Sequence, residues 1–226
     1  MFSELALLFA GPGLLGDIRK SVLDDNVLGK SSASGRILTL QRLSELYSFD
    51  ISEVIFRVFS GLCQLDPAAL PQLAILMAVA RDPLLRASAR SVLGLTEGSQ
   101  LMRDNVRDAI ASVVGTRMNP AVLDKVVRNV ASSWTKSGHL SGRTIKRRHH
   151  IRANQTALAF ALWLAQRAGV AAGDTFDNGW VRVLDLEPVS ARKLAERAHA
   201  ARLIVFRSIG ESFELDTSAL ERMPRS

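Results

Sequence analysis

Cysteine is almost absent from this chain of 226 residues. The one cysteine, Cys63, lies in the apolar stretch VFSGLCQL, so no internal disulfide can form. This usage is typical of proteins from a reducing compartment. We interpret Cys63 as a small buried hydrophobic residue and not as a catalytic thiol, because unpaired cysteines are among the most buried residue types.

Long apolar runs are missing as well. The longest uncharged apolar run, PAALPQLAILMAVA, has 14 residues and contains two prolines, whereas a membrane-spanning helix needs about 20. The apolar N-terminal stretch has no basic residue ahead of it, unlike a secretory signal peptide. We therefore expect a cytoplasmic protein with no membrane partner.

The signatures of common enzyme chemistry are also lacking. The sequence has no phosphate-binding glycine loop, nucleophile elbow or HExxH motif. No Asp or Glu occurs between Lys125 and Gly173, so the histidines in that stretch have no neighbouring carboxylate for acid–base work. The lysines and arginines around those histidines would also oppose a metal cation. We expect no catalytic residues, no metal site, no cofactor and no enzymatic activity.

What the chain does have is a localised positive charge. Residues 1–118 contain 12 basic and 12 acidic residues, and residues 154–226 contain nine of each. Residues 119–153 contain eight basic residues and one acid, so the net charge of +7 comes entirely from that segment. A localised basic patch is the electrostatic footprint of an anionic partner.

Apolar residues at helical spacing predict helices over most of the chain. Residues 1–117 are expected to form an N-terminal bundle of about six helices, among them a helix over 12–26, and Ser99 is expected to cap the last of them. Residues 118–226 are expected to form a winged helix-turn-helix-like region carrying a short β-hairpin. We therefore predict a mainly α protein whose two regions pack as one compact unit.

The first helix-plus-hairpin unit is predicted within residues 118–153. Its helix, 119–136, begins at Asn119 as N-cap and stops at Gly138. The following stretch, 139–151, has a weak hairpin pattern with Ser141-Gly142 as a short turn. The buried face of the helix is predicted to comprise Val122, Val126, Val127, Val130 and Trp134.

A second unit is predicted within residues 170–218. Here WVRVLDL, residues 180–186, alternates like a strand, and an amphipathic helix follows over 188–203. Residues 204–216 alternate on both sides of a turn at Ile209-Gly210-Glu211-Ser212, which favours a hairpin. A helix followed directly by a two-stranded wing is typical of the DNA-binding winged helix-turn-helix.

The basic segment 136–152 is our candidate interface with nucleic acid, because cations and hydroxyl groups on such a unit contact phosphate oxygens. Its histidines would add positive charge below about pH 6.5. The candidate binding residues are Lys125, Arg128, Lys136, Arg143, Lys146, Arg147, Arg148, His149, His150 and Arg152.

Double-stranded DNA is the partner that this pattern favours, and two alternatives stay open. The patch could dock an acidic protein, which would make the chain a protein–protein adaptor, or a helical basic face could hold RNA. Single-strand stacking needs aromatic side chains, and the one aromatic residue near the patch, Trp134, is predicted to lie in the core. A homodimer is compatible with the sequence because most soluble oligomers are symmetric dimers, but no residue indicates one.

The order of three motifs resembles the BrxA family. The opening GLLGDIRKSVLDDNVLGKSSASGRILTLQRLSELY, the stretch LPQLAILMAVARDPLLRASARSVL and the helix end NVASSWTKSGHLSG carry the resemblance. It implies a small, mostly helical, non-enzymatic component of a bacteriophage-exclusion (BREX) defence system that binds DNA and works beside other defence-system proteins. The candidate binding residues rest on charge and context, and not on this resemblance.

Overall fold

Helices make up most of the residues that the computed structural model describes, which are 1–10, 18–210 and 212–223. The helices are α1 Phe2–Ala10, α2 Ile18–Leu23, α3 Ala33–Tyr47, α4 Val54–Leu65, α5 Leu70–Arg81, α6 Pro83–Leu93, α7 Arg103–Val114, α8 Pro120–Lys136, α9 Gln155–Arg167, α10 Gly179–Arg182 and α11 Pro188–Ala200. Two antiparallel hairpins join them, β1 Leu140–Ser141 with β2 Arg147–Arg148 and β3 Val205–Ile209 with β4 Ser212–Asp216. The predicted mainly α class is confirmed, and residues 12–17 of the helix predicted over 12–26 lie outside the described residues.

Two helices that are apolar on nearly every face form the centre of the core. In α5 the residues 73–79 are all buried, and in α9 the residues 156–165 are all buried. The two helices pack against each other and against α4, where the rings of Phe59 and Phe160 lie 6.2 Å apart. One continuous hydrophobic cluster runs from Leu5 to Leu220, and Cys63 is buried within it as predicted.

Side-chain caps set where several helices begin. Asp82 accepts hydrogen bonds from the backbone N–H groups of the first turn of α6 at 2.8 and 3.2 Å. Asn119 and Asn154 cap α8 and α9 in the same way. Each such cap stabilises its helix by about 1 kcal/mol, and the predicted start of α8 at Asn119 is confirmed. The cap predicted at Ser99 is wrong, because α7 begins only at Arg103.

Ser99 lies instead in a segment, 98–101, that runs beside β2, with Gln100 opposite Arg147 in an antiparallel bridge. The Leu101 N–H donates to the Lys146 carbonyl at 2.8 Å, and the Arg148 N–H donates to the Ser99 carbonyl at 2.8 Å. Strand β2 therefore has a neighbour on each side, β1 and this segment. Segment 98–101 belongs to the predicted N-terminal region, residues 1–117, whereas the hairpin belongs to the predicted C-terminal region, residues 118–226. Strand β2 therefore pairs with a segment from across the predicted boundary.

The first hairpin is shorter and its connection longer than the sequence predicts. Leu140 pairs with Arg148 and Ser141 with Arg147, and residues 142–146 connect them in place of a two-residue turn. Gly142 has a φ of +90°, and a Cβ there would collide with the Ile145 carbonyl oxygen, so this bend requires glycine.

The second hairpin is confirmed over nearly its full predicted length. Five residue pairs link β3 and β4, from Val205↔Asp216 at the base to Ile209↔Ser212 at the tip. Glu211 of the predicted turn lies outside the described residues.

The strand predicted over 180–186 is wrong. Asn178 accepts hydrogen bonds from the backbone N–H groups of Trp180 and Val181, which starts the short helix α10. Val181 and Leu184 are both fully buried, one helical turn apart. Seven residues are too few for the apolar pattern to separate a strand from a short helix and turn.

No single helix within the described ranges is long and apolar enough to cross a membrane. The segments Val54–Leu65 and Pro67–Arg81 pass a test of length and hydropathy only when taken together, and they meet at an angle of 117°.

Candidate nucleic-acid interface

Helix α8 presents one face to the core and the opposite face to solvent. Val127, Val130 and Trp134 are buried as predicted. Val122, which was expected beside them, is 43% exposed, because it lies near the edge of the solvent face. The exposed stripe has the helical spacing i, i+3, i+4, i+7, i+11 and comprises Lys125, Arg128, Asn129, Ser132 and Lys136.

A buried polar network fixes the first hairpin against α8. The Trp134 indole N–H donates to the Ser88 hydroxyl of α6 at 2.8 Å. The His139 ring stands edge-on to Trp134, with centroids 4.9 Å apart. Its Nε2 donates to the Val183 carbonyl at 2.7 Å, and its Nδ1 then accepts from the Ser137 hydroxyl at 2.8 Å.

Burial keeps His139 in its neutral form, although the hydrogen bond to the Val183 carbonyl favours the charged ring. Burial lowers the pKa of His139 from 6.5 to about 4, because the charged ring would lose its hydration. His139 is fully buried, so it supports the fold and is not part of the exposed basic surface.

Arg148 must be withdrawn from the predicted phosphate contacts. Only 1% of the residue is exposed, and its guanidinium forms an ion pair with Asp185. The guanidinium also donates to the His149 carbonyl at 2.5 Å, while Asp185 accepts from the Ile151 N–H at 2.8 Å. The two neighbours Arg147 and Arg148 occupy one strand, and successive strand side chains point to opposite faces, so one of them had to face inward.

Glu97 places a second carboxylate beside the basic segment. It accepts from the His149 ring at 2.9 Å and from the His150 N–H at 2.5 Å. These hydrogen bonds, the His150 backbone bond first, hold the pKa of Glu97 below its ordinary value. The predicted positive contribution of His149 is therefore opposed by a neighbouring negative charge.

Among the described residues, the remaining candidate cations form no ion pair with an acidic side chain. Arg147 is exposed and donates to the Gly98 carbonyl at 3.0 Å. Lys146 is half-buried and donates to the Gly142 carbonyl at 2.6 Å. The exposed cations that stay available are Lys125, Arg128, Lys136, Arg143, Arg147 and Arg152.

The connection of the first hairpin, α8 and the segment leading into α7 enclose a cleft of about 330 Å³. Four cations from these three elements line it, and no Asp or Glu of the described residues does. Three of the four are among the predicted candidate binding residues, and the fourth is Arg103. The sequence analysis missed Arg103 because it lies far before the basic segment and only the fold brings it there. The four cations are Arg103, Arg128, Arg143 and Lys146.

A larger cavity, of about 560 Å³, lies between α8 and the helices of the N-terminal bundle, and Lys136 stands at its edge. No cluster of three or more His, Cys, Asp or Glu side chains suited to a metal ion occurs in the part of the chain that is described. Comparison of the whole chain with models of protein families, with curated proteins and with solved structures gave no match.

Proposed function

We propose that the protein is a non-enzymatic, double-stranded DNA-binding protein that contacts backbone phosphates through the exposed cations of α8 and of the first hairpin. One observation carries the proposal: six exposed cations from one helix and the stretch that follows it, 120–152, form no ion pair among the described residues. Releasing the counterions that such cations displace from DNA is the main source of sequence-independent affinity.

The order of elements supports a winged helix-turn-helix over residues 83–149. In that assignment α6, α7 and α8 are its three helices, segment 98–101 is the first strand, and the first hairpin is the wing. Helix α8 would enter the major groove with its exposed stripe, and Asn129 and Ser132 would add hydrogen-bonding groups beside the cations. The sequence α9, α10, α11 and the second hairpin repeats the order and would form a second such module.

The resemblance to BrxA proteins supports a place for this DNA-binding protein as an accessory or structural component of a bacterial phage-defence system, beside other defence-system proteins. A protein–protein adaptor is the alternative that a specific feature favours. Ile145 is 52% exposed in the connection of the first hairpin, residues 142–146, which also carries Arg143 and Lys146. An acidic partner with an apolar patch would cover the isoleucine and the two cations together.

Fluorescence anisotropy with labelled duplex DNA, single-stranded DNA and an RNA hairpin tests the proposal. The test variant is Arg143→Ala/Arg147→Ala/Arg152→Ala, which leaves the buried Arg148 in place. We expect tight duplex binding by the wild-type protein, and removing three phosphate contacts should flatten the dependence of log K on log salt by about 2–3 units.

A length series of duplexes separates DNA binding from an adaptor role, because a DNA-binding protein has a defined site size. Equal binding of the wild type and the triple variant to duplex DNA, with unchanged melting temperatures, would contradict the proposal. So would a wild-type protein that binds no duplex even at low salt. A preference for the RNA hairpin over the duplex would favour the RNA alternative.

A further inference from the structure

The cleft between residues 142–146, α8 and the start of α7 gathers four cations in one place, unlike a diffuse basic surface. We infer that it is a discrete binding site for one phosphate group, and that Arg103 completes it. Where the phosphate belongs to a DNA backbone, this inference rests on the proposed function. Where it belongs to a free phosphate compound, the site stands on its own.

The cleft carries a concentrated positive charge. Arg103 comes from α7, Arg128 from α8, and Arg143 and Lys146 from the hairpin connection. Like charges gathered in one cleft repel one another, and more strongly where the surroundings are partly shielded from water. A phosphate group seated among the four cations would attract each of them and so offset their mutual repulsion.

Two acids on the adjoining helices lie beside another arginine. Asp124 of α8 forms an ion pair with Arg107, and Asp104 of α7 lies 3.9 Å from the same guanidinium. Neither residue lines the cleft. The cations of the cleft therefore have no internal counter-charge among the described residues, so an external anion is the group that fits.

The two cations of the hairpin connection, Arg143 and Lys146, stand on a fixed backbone. Residues 142–146 are held by the Leu101 N–H···Lys146 carbonyl bond and by the bend that requires Gly142. The Lys146 ammonium is oriented by its 2.6 Å bond to the Gly142 carbonyl. A site whose donors are already in place loses less conformational entropy on binding.

The size and lining of the cleft suit a phosphodiester with a flanking sugar. A volume of about 330 Å³ is near the lower end for small-ligand sites. Leu101, Val106 and Val127 are buried and form an apolar floor that keeps water from one side of the site. The hydroxyls of Thr144 and Ser132 lie at its edge and can donate to phosphate oxygens.

The test compares Arg103→Gln with Arg90→Gln, a matched control in which an exposed arginine on α6 loses the same charge away from the cleft. Calorimetric titration with inorganic pyrophosphate measures the site without DNA. We expect Arg103→Gln to weaken pyrophosphate binding by about tenfold, equivalent to about 1.4 kcal/mol, because it removes one charge-assisted contact. Arg90→Gln should leave it unchanged, and thermal melts of both variants should match the wild type.

Duplex titrations distinguish the two phosphate sources. If the cleft seats a backbone phosphate, Arg103→Gln flattens the salt dependence of duplex binding by about 0.9, and pyrophosphate competes with the duplex. Equal effects of Arg103→Gln and Arg90→Gln on both pyrophosphate binding and duplex binding would overturn the phosphate site and leave the proposed function standing. Pyrophosphate binding that depends on Arg103, without any duplex binding, would support the site and overturn the proposed function.

Discussion

The chain carries the same arrangement twice, and the two copies differ in what they do with their charges. In the unit of α8 and the first hairpin, exposed cations have no acidic partner among the described residues. In the unit of α11 and the second hairpin, Arg207 lies 3.7 Å from Glu214, and the Arg192 guanidinium lies over the rings of Phe176 and Phe213. The first unit therefore leaves its exposed cations without an acidic partner, whereas the second engages Arg207 with an acid and Arg192 with two rings and leaves Lys193 and Arg197 exposed.

The two hairpins are also stabilised differently. The second pairs five residues of each strand with one another. The first pairs only two, and it depends on segment 98–101, on the buried Arg148–Asp185 ion pair and on His139. A two-residue ladder is too short to be stable alone. The unit that presents the free charges is thus the one that needs tertiary support.

The largest effect is expected from loss of the buried Arg148–Asp185 ion pair that supports the first hairpin. Asp185→Asn leaves the Arg148 guanidinium buried without its counter-charge, which should lower the free energy of unfolding by about 3–5 kcal/mol. The control is Asp177→Asn, which removes the exposed partner of Arg182 and should cost at most about 1 kcal/mol. Chemical denaturation measures both, and equal losses would show that burial of the pair is unimportant.

Removing the same number of exposed cations from each unit compares how much each contributes to duplex binding. Lys193→Ala/Arg197→Ala/Arg207→Ala removes three exposed cations from the second unit, the same number that the triple variant of the first unit loses. We expect the second-unit variant to change the salt slope of duplex binding by less than about 1, against about 2–3 for the first unit. Equal slopes would place the DNA contact across both units.

The third prediction concerns pH. The pKa of His139 is about 4 in the folded protein and 6.5 in the unfolded chain, so the unfolded chain binds more protons between these values. Stability is therefore complete above pH 6.5 and falls as the pH drops toward 4, by about 3 kcal/mol in total.

Urea denaturation at a series of pH values measures this loss of stability. His139→Gln should be less stable than the wild type at neutral pH, and it should lack the fall in stability that protonation of His139 causes between pH 6.5 and pH 4. The second unit's His199 is exposed, and its ring lies within hydrogen-bonding distance of the Ile204 carbonyl and the Phe206 N–H. His199→Gln is the matched control and should keep the dependence. A wild-type protein equally stable at pH 7 and pH 4.5 would contradict the assignment.

The smallest effect is expected at Glu97, which the fold places beside the first hairpin. Glu97→Gln removes a negative charge beside His149 and His150, so duplex affinity at low salt should rise by about twofold and the gain should vanish at high salt. Glu214→Gln, its counterpart in the second unit, should leave duplex affinity unchanged. A weaker complex with Glu97→Gln would mean that Glu97 orders the loop for binding.

Much of the fold follows from local patterns. Asn119 and Asp82 begin helices because their side chains satisfy free backbone N–H groups, and these signals are complete within four residues of sequence. The second hairpin follows from alternation about a turn. Ser99 and residues 180–186 were wrongly assigned because hydrogen bonds from residues far away in sequence, or a cap at Asn178, decide between conformations of similar local preference.

The sequence by itself determined that the protein is mainly helical, that its excess charge lies in 119–153, and that helix 119–136 leads into a hairpin, because periodicity, caps and charge are local properties. Only the tertiary structure decided which charges are available. Arg148 is neutralised by Asp185 and His149 is opposed by Glu97, while Arg103 joins a cleft built from distant residues. The physical reason is that burial and ion pairing depend on distances in space, which the order of residues along the chain does not contain.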